Sequence, residues 1–74
     1  MNRHEASSGG EARIRYLDGD FQVVSPGSFV ICAVTGVAIA LSDLRYWSVE
    51  RQEAYADARA SLEREQAVRV KRQR

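Results

Sequence analysis

Three dipeptides in quick succession, Asp18-Gly19, Pro26-Gly27 and Thr35-Gly36, constrain this chain more than any other feature. Asp-Gly favours a two-residue hairpin turn, because Gly accepts positive φ and Asp tolerates it. Pro-Gly fits the two central positions of a type II turn. Thr-Gly is a weaker signal, because a β-branched residue disfavours positive φ. Two-residue loops at these points set registers that can be checked against each other. The first pairs Leu17 with Asp20, Tyr16 with Phe21 and Ile14 with Val23. The second pairs Ser25 with Ser28, Val23 with Val30 and Phe21 with Cys32. The third pairs Val34 with Val37, Cys32 with Ile39 and Val30 with Leu41.

Directly opposed residues share a face, and side chains alternate along a strand. All three registers therefore put Ile14, Tyr16, Phe21, Val23, Val30, Cys32, Val34, Val37, Ile39 and Leu41 on one face. A slip of one residue would invert a strand's apolar set. The agreement predicts a four-stranded antiparallel meander over residues 12–41. The opposite face carries Arg13, Arg15 and Gln22, but also Val24, Phe29, Ile31, Ala33, Ala38 and Ala40. A solvated face alternates more cleanly than this. Either tails and loops cover the patch or it is a contact surface.

Beyond Leu41 the period changes. Ser42-Asp43 suits the cap of a short helical turn, with Leu41 and Tyr46 spaced as a hydrophobic staple. Ser48 is a second N-cap candidate, and Glu50 and Glu53 follow where a helix dipole favours acids. Val49 to about Val68 has no Gly or Pro and is rich in good helix formers. Tyr55, Ala58 and Leu62 form its narrow apolar stripe, with Leu44 and Trp47 in phase. The predicted fold class is α+β: a four-stranded antiparallel meander followed by one C-terminal helix. Residues 1–11 read as a disordered tail, 12–68 as one small domain, and 69–74 as a basic, frayed tail.

Composition narrows function mainly by exclusion. The chain has 74 residues, 45% hydrophobic and 28% charged, too apolar and too balanced for wholesale disorder. A domain of this size buries a modest share of its surface and gains from an additional partner. Eleven basic against ten acidic residues leave a net charge of +1, which argues against bulk electrostatic nucleic-acid binding. The longest uncharged span, Phe21 to Ser42, contains Pro26, Gly27 and several polar residues. Its densest part falls short of the ~20 apolar residues that a spanning helix needs, so no membrane association is expected. One Cys and one His exclude an internal disulfide and a self-contained zinc site, and no cofactor is expected. Without a secretory signal pattern, a free Cys fits a cytoplasmic location.

Nothing assembles a catalytic centre. His4 lies in the N-terminal tail, Asp18, Asp20 and Asp43 sit near turns, and Ser25 and Ser28 flank a turn with no base beside them. No enzyme activity and no small-molecule substrate are expected. Cys32 is the sharpest single residue. Cys32-Ala33-Val34-Thr35-Gly36 resembles half of a zinc-ribbon knuckle with Thr35 at the second ligand position, while a buried small hydrophobe is the commoner role of a free Cys. Arg45 to Tyr55 concentrates Trp47, Tyr46 and Tyr55, either as core seeds or as an aromatic–Arg contact surface.

These same stretches carry a resemblance. Gly19 to Val23, Pro26-Gly27, Cys32 to Gly36, Ile39, Leu41, Leu44-Arg45-Tyr46-Trp47-Ser48-Val49 and Arg51-Gln52-Glu53-Ala54-Tyr55 are similar to a family of short alphaproteobacterial proteins of unknown function. The similarity spans roughly residues 9–65, and Tyr-Trp-Ser-Val and Gln-Glu-x-Tyr are its most specific parts. It implies a stand-alone cytosolic bacterial protein and supplies no activity, ligand or site residue. Two functional classes follow. The favoured one is a non-enzymatic protein-interaction or accessory module, binding a protein partner or a second copy through Phe29, Ile31, Val24, Trp47 and Arg45. The alternative is a nucleic-acid or ribosome-associated module on a degenerate, metal-free zinc-ribbon-like scaffold. It is motivated by Arg13, Arg15 and the basic C-terminal end.

Overall fold

A computed structural model describes residues 10–72. The strands are β1 (Arg13–Leu17), β2 (Asp20–Ser25), β3 (Phe29–Ile31), β4 (Ala38–Ala40), β5 (Tyr46–Ser48) and β6 (Glu53–Tyr55), followed by helix α1 (Ala58–Arg72). The strands form three separate antiparallel pairs, β1–β2, β3–β4 and β5–β6. The α+β class and the single C-terminal helix hold. The four-stranded meander does not.

The first hairpin follows its turn chemistry. Gly19 takes φ +71°, and Leu17–Asp20, Tyr16–Phe21 and Ile14–Val23 pair as expected. The register then jumps to Arg13–Ser25, leaving Val24 as the extra residue of a bulge. The meander fails at Pro26-Gly27. A side chain on Gly27 would collide with the backbone of Ala12, so the chain runs close past the start of β1 instead of turning back along β2. β3 then pairs with the segment before β1. Ser28 N–H donates to Gly10 O at 2.9 Å, and Ala12 N–H donates to Phe29 O at 2.7 Å. Gly10 and Glu11, which fall within the expected tail 1–11, are thus bound to the sheet; residues 1–9, with His4, lie outside the described residues.

The second hairpin keeps its predicted faces but not its register. Val30 pairs with Ile39 and Ile31 with Ala38, a shift of two residues from the expected Val30–Leu41 alignment. The loop has four residues rather than two, closed by Cys32 N–H to Val37 O at 2.9 Å and Gly36 N–H to Cys32 O at 3.0 Å. A shift of two preserves the facing of each side chain. Val30, Cys32 and Ile39 are accordingly buried, whereas Val23 and Val37, expected in the core, are exposed.

The largest departure lies between Tyr46 and Tyr55, where a third hairpin replaces the predicted helical start. The tight turn Leu41–Asp43 has no side-chain cap from Ser42. Ser48 does cap a turn, but that of the hairpin, its Oγ accepting from Arg51 N–H at 3.0 Å. Gln52 takes the left-handed conformation, φ +53°, that returns the chain into β6. Helix α1 begins only after Asp57, whose Oδ1 accepts from Ala60 N–H at 2.8 Å as an N-cap. The expected stripe shifts with it: Leu62 is exposed and Ala60 is the helix's buried contact. The small core joins Ala12, Tyr16, Val30, Cys32, Ile39, Leu44, Ala54, Tyr55 and Ala60, with Ile14, Phe21, Val34, Leu41, Trp47 and Ala56 packed against it.

Candidate functional site

The five residues expected at a partner surface divide among three places. Phe29 and Ile31 lie on the outer face of the β3–β4 hairpin, opposite Ala40 and Ala38. Their intervening neighbours Val30 and Ile39 bury the inner face. Ile31 is 39% exposed, Ala38 and Ala40 are exposed, and Phe29 is half-buried. Val24 sits on a different sheet, as the exposed bulge of β2, so the single predicted face is two separate apolar surfaces.

Trp47 and Arg45 belong to the third place. The Trp47 ring packs edge-on to Phe21 at 5.6 Å and tilted over Tyr16 at 6.1 Å. Its indole N–H donates to Leu17 O at 2.8 Å. Trp47 therefore ties β5 to the first hairpin. An open groove of about 440 Å³ runs beside it, lined by Leu17, Asp18, Arg45, Tyr46 and Ser61, with exposed Arg45 at its rim.

The turn from Cys32 to Gly36 folds back on the sulfur. Cys32 Sγ accepts from the N–H groups of Val34 at 3.4 Å, Thr35 at 3.3 Å and Ala56 at 3.2 Å. Burial alone would raise the thiol's pKa. The Thr35 hydroxyl and these backbone donors reverse that and bring it below the usual thiol value. Ala56 comes from the segment after β6, and Ala33 N–H donates to Ala54 O at 2.9 Å, so the sulfur joins the second hairpin to the third. Among the described residues no three His, Cys, Asp or Glu side chains come together as metal ligands.

A polar network that sequence reasoning missed holds the helix in place. Arg64 pairs in parallel with Glu53, Nε to Oε1 at 3.0 Å and a terminal nitrogen to Oε2 at 3.2 Å. Tyr55 Oη donates to Glu53 Oε1 at 2.9 Å. Arg51 donates to Tyr55 Oη and to Glu65 Oε1, each at 3.2 Å. Burial would raise the Glu53 pKa, but the hydrogen bonds from Arg64 and Tyr55 and the charges of Arg64 and Arg51 hold it below the ordinary carboxylate value. Glu53 thus sits in a hairpin facing a helix, not in a helix's first turn. A spacing of eleven residues between Glu53 and Arg64 follows neither a helix nor a strand period, so no sequence pattern announces the pair.

The family model of an uncharacterized protein conserved in bacteria, DUF2093, matches residues 23–64, which is more than half of the chain. The chain belongs to this family. The matched DUF2093 segment runs from the end of β2 through the Cys32 turn and the β5–β6 hairpin into α1, so it contains Cys32, Trp47, Gln52, Glu53 and Arg64 together. No curated protein and no solved structure matches the chain. Among the described residues no helix is long and apolar enough to cross a membrane.

Proposed function

We propose that the protein is a non-enzymatic interaction module of the bacterial cytoplasm, which docks a protein partner on the outer face of the β3–β4 hairpin. The observation carrying this reading is the contrast between the two faces of one short hairpin. Val30 and Ile39 are buried inside, while Ile31, Ala38 and Ala40 stay exposed around a half-buried Phe29. All four outer residues are apolar, and contiguous exposed apolar surface on small soluble domains usually marks a contact. The titratable side chains support the non-enzymatic part. Arg51, Glu53, Tyr55, Arg64 and Glu65 satisfy one another across the helix contact, which is a structural use of charge. That pairing takes Arg51 and Arg64 out of any open basic stripe, since each faces a glutamate.

The test is Ile31→Asp, made in the full chain. Ile31 is exposed enough for the variant to fold with an unchanged circular dichroism spectrum. The reading expects it to lose whatever protein co-purifies from the native host. Retention of the same co-purifying protein by a folded Ile31→Asp variant would overturn it. Phe29→Asp is less clean, because Phe29 is half-buried and its loss also removes packing.

A further inference from the structure

The two edges of the β1–β2 hairpin are treated differently. In a two-residue hairpin the closing pair, Leu17–Asp20, is hydrogen-bonded, and bonded and non-bonded pairs alternate away from it. Tyr16–Phe21 is therefore a non-bonded pair, whose backbone groups point out of the hairpin. On the β1 side the outward N–H and C=O of Tyr16 are taken by the side-chain amide of Gln52. On the β2 side the outward groups belong to Phe21 and Val23, and no described strand pairs with them. Phe21 N–H is held by its own neighbour, Asp20 Oδ1, at an exposed 2.7 Å.

Edge strands are normally protected by charge or Pro. From Phe21 to Ser25 this edge has neither, and Val23 and Val24 are 51% and 62% exposed. The one irregularity, the bulge at Val24, lies beyond the outward-facing residues.

We propose that β2 pairs antiparallel with β2 of a second copy of this chain. The two-fold axis passes through Gln22, with Phe21 of each copy opposite Val23 of the other. The outward groups of these two residues match in that register, the exposed Asp20–Phe21 contact giving way to inter-strand bonds. Phe21 and Val23 share a face, so Val23 gains the other copy's Phe21 ring as a neighbour and the Ile14–Val23–Phe21–Tyr16 stripe runs across both hairpins. Charge selects a second copy and its orientation. Exposed Arg13 stands beside Ser25 at the open end of the hairpin and exposed Arg15 at its middle, opposite Gln22, while exposed Asp18 and Asp20 make its turn acidic. Antiparallel pairing lays the acidic turn of one copy along the Arg13 end of the other; parallel pairing would set the two acidic turns side by side. The inference is independent of the β3–β4 face.

Sedimentation equilibrium of the full chain over a concentration series tests it, with Val23→Pro, Val23→Lys and Ile31→Asp alongside. Val23→Pro removes only an outward-facing N–H, and Val23→Lys adds charge to the edge. Wild type and Ile31→Asp are expected to be dimers. Both Val23 variants should raise the dimer dissociation constant by at least about tenfold, with the helix signal retained. If Val23→Pro fails to fold, Val23→Lys decides. A monomeric wild type at its highest soluble concentration would overturn the proposal. So would a Val23→Lys variant as dimeric as wild type, a dimer broken by Ile31→Asp, or pairing of the edge only with a strand of another protein.

Discussion

Gln52 and Tyr16 hydrogen-bond as if they were neighbouring strand residues: Tyr16 N–H donates to Gln52 Oε1 at 2.9 Å, and Gln52 Nε2 donates back to Tyr16 O at 2.9 Å. The second Nε2 proton goes to Val49 O at 2.8 Å, so both amide protons are used. A side chain here replaces a missing strand and joins two hairpins that share no ladder. Gln52→Ala leaves the backbone groups of buried Tyr16 without partners and keeps an unfavourable positive φ. It should cost about 2–3 kcal/mol in urea unfolding. Gln52→Gly should cost about 1 kcal/mol less, because Gly relieves the φ. Equal losses in the two variants would mean that the backbone conformation is unimportant.

Cys32 plays the corresponding role between the second and third hairpins. Cys32→Ala leaves three N–H groups without their acceptor and opens a small cavity, at a cost of about 2 kcal/mol. Cys32 is 2% exposed. Its alkylation should therefore be slow in the native protein and should speed up with denaturant in step with unfolding. Rapid alkylation without denaturant would contradict this burial.

Glu53 gives the fold an acid limit. Its pKa is lower in the folded than in the unfolded chain, so the unfolded state binds more protons as pH falls. The contribution is complete above the unfolded carboxylate value of about 4.3. It is lost as pH falls through the lowered folded value. Urea unfolding across that range should show stability rising with pH, and Glu53→Gln should flatten the rise. An unchanged slope in Glu53→Gln would assign the acid limit to another carboxylate.

Trp47 is a fastener before it is a contact residue. Trp47→Phe keeps most of the aromatic packing but loses the bond to Leu17 O, and should cost about 1–2 kcal/mol. A neutral result in thermal unfolding would mean that this bond is replaced by water without loss.

What the sequence made legible was local. Asp18-Gly19 sets the first hairpin because its turn needs only those two residues and the strands beside them. The inward facing of Val30, Cys32 and Ile39 also survives, since a shift of two residues leaves every side chain on its own side. Pairing between hairpins was not legible. Pro26-Gly27 looks like a hairpin turn, yet Gly27 is needed because Ala12 passes against it. The stretch from Val49 to Tyr55 reads as helix by propensity. Burial of Ala54 and Tyr55, with Gln52 reaching back to Tyr16, overrides that weak preference. Of the residues expected at a partner surface, Phe29 and Ile31 do share the outer face of the β3–β4 hairpin. Val24 was carried off by a bulge and Trp47 by its bond to Leu17, neither of which has a sequence signature.

The protein contact proposed here is the outer β3–β4 face. Its most direct measurement is site-specific photocrosslinking in the native host, with a photoreactive residue at Ile31 and, as control, at exposed Gln66 on the helix. One discrete protein adduct is expected from position 31 that is absent from position 66. No adduct at position 31, or the same adducts from both positions, would contradict it.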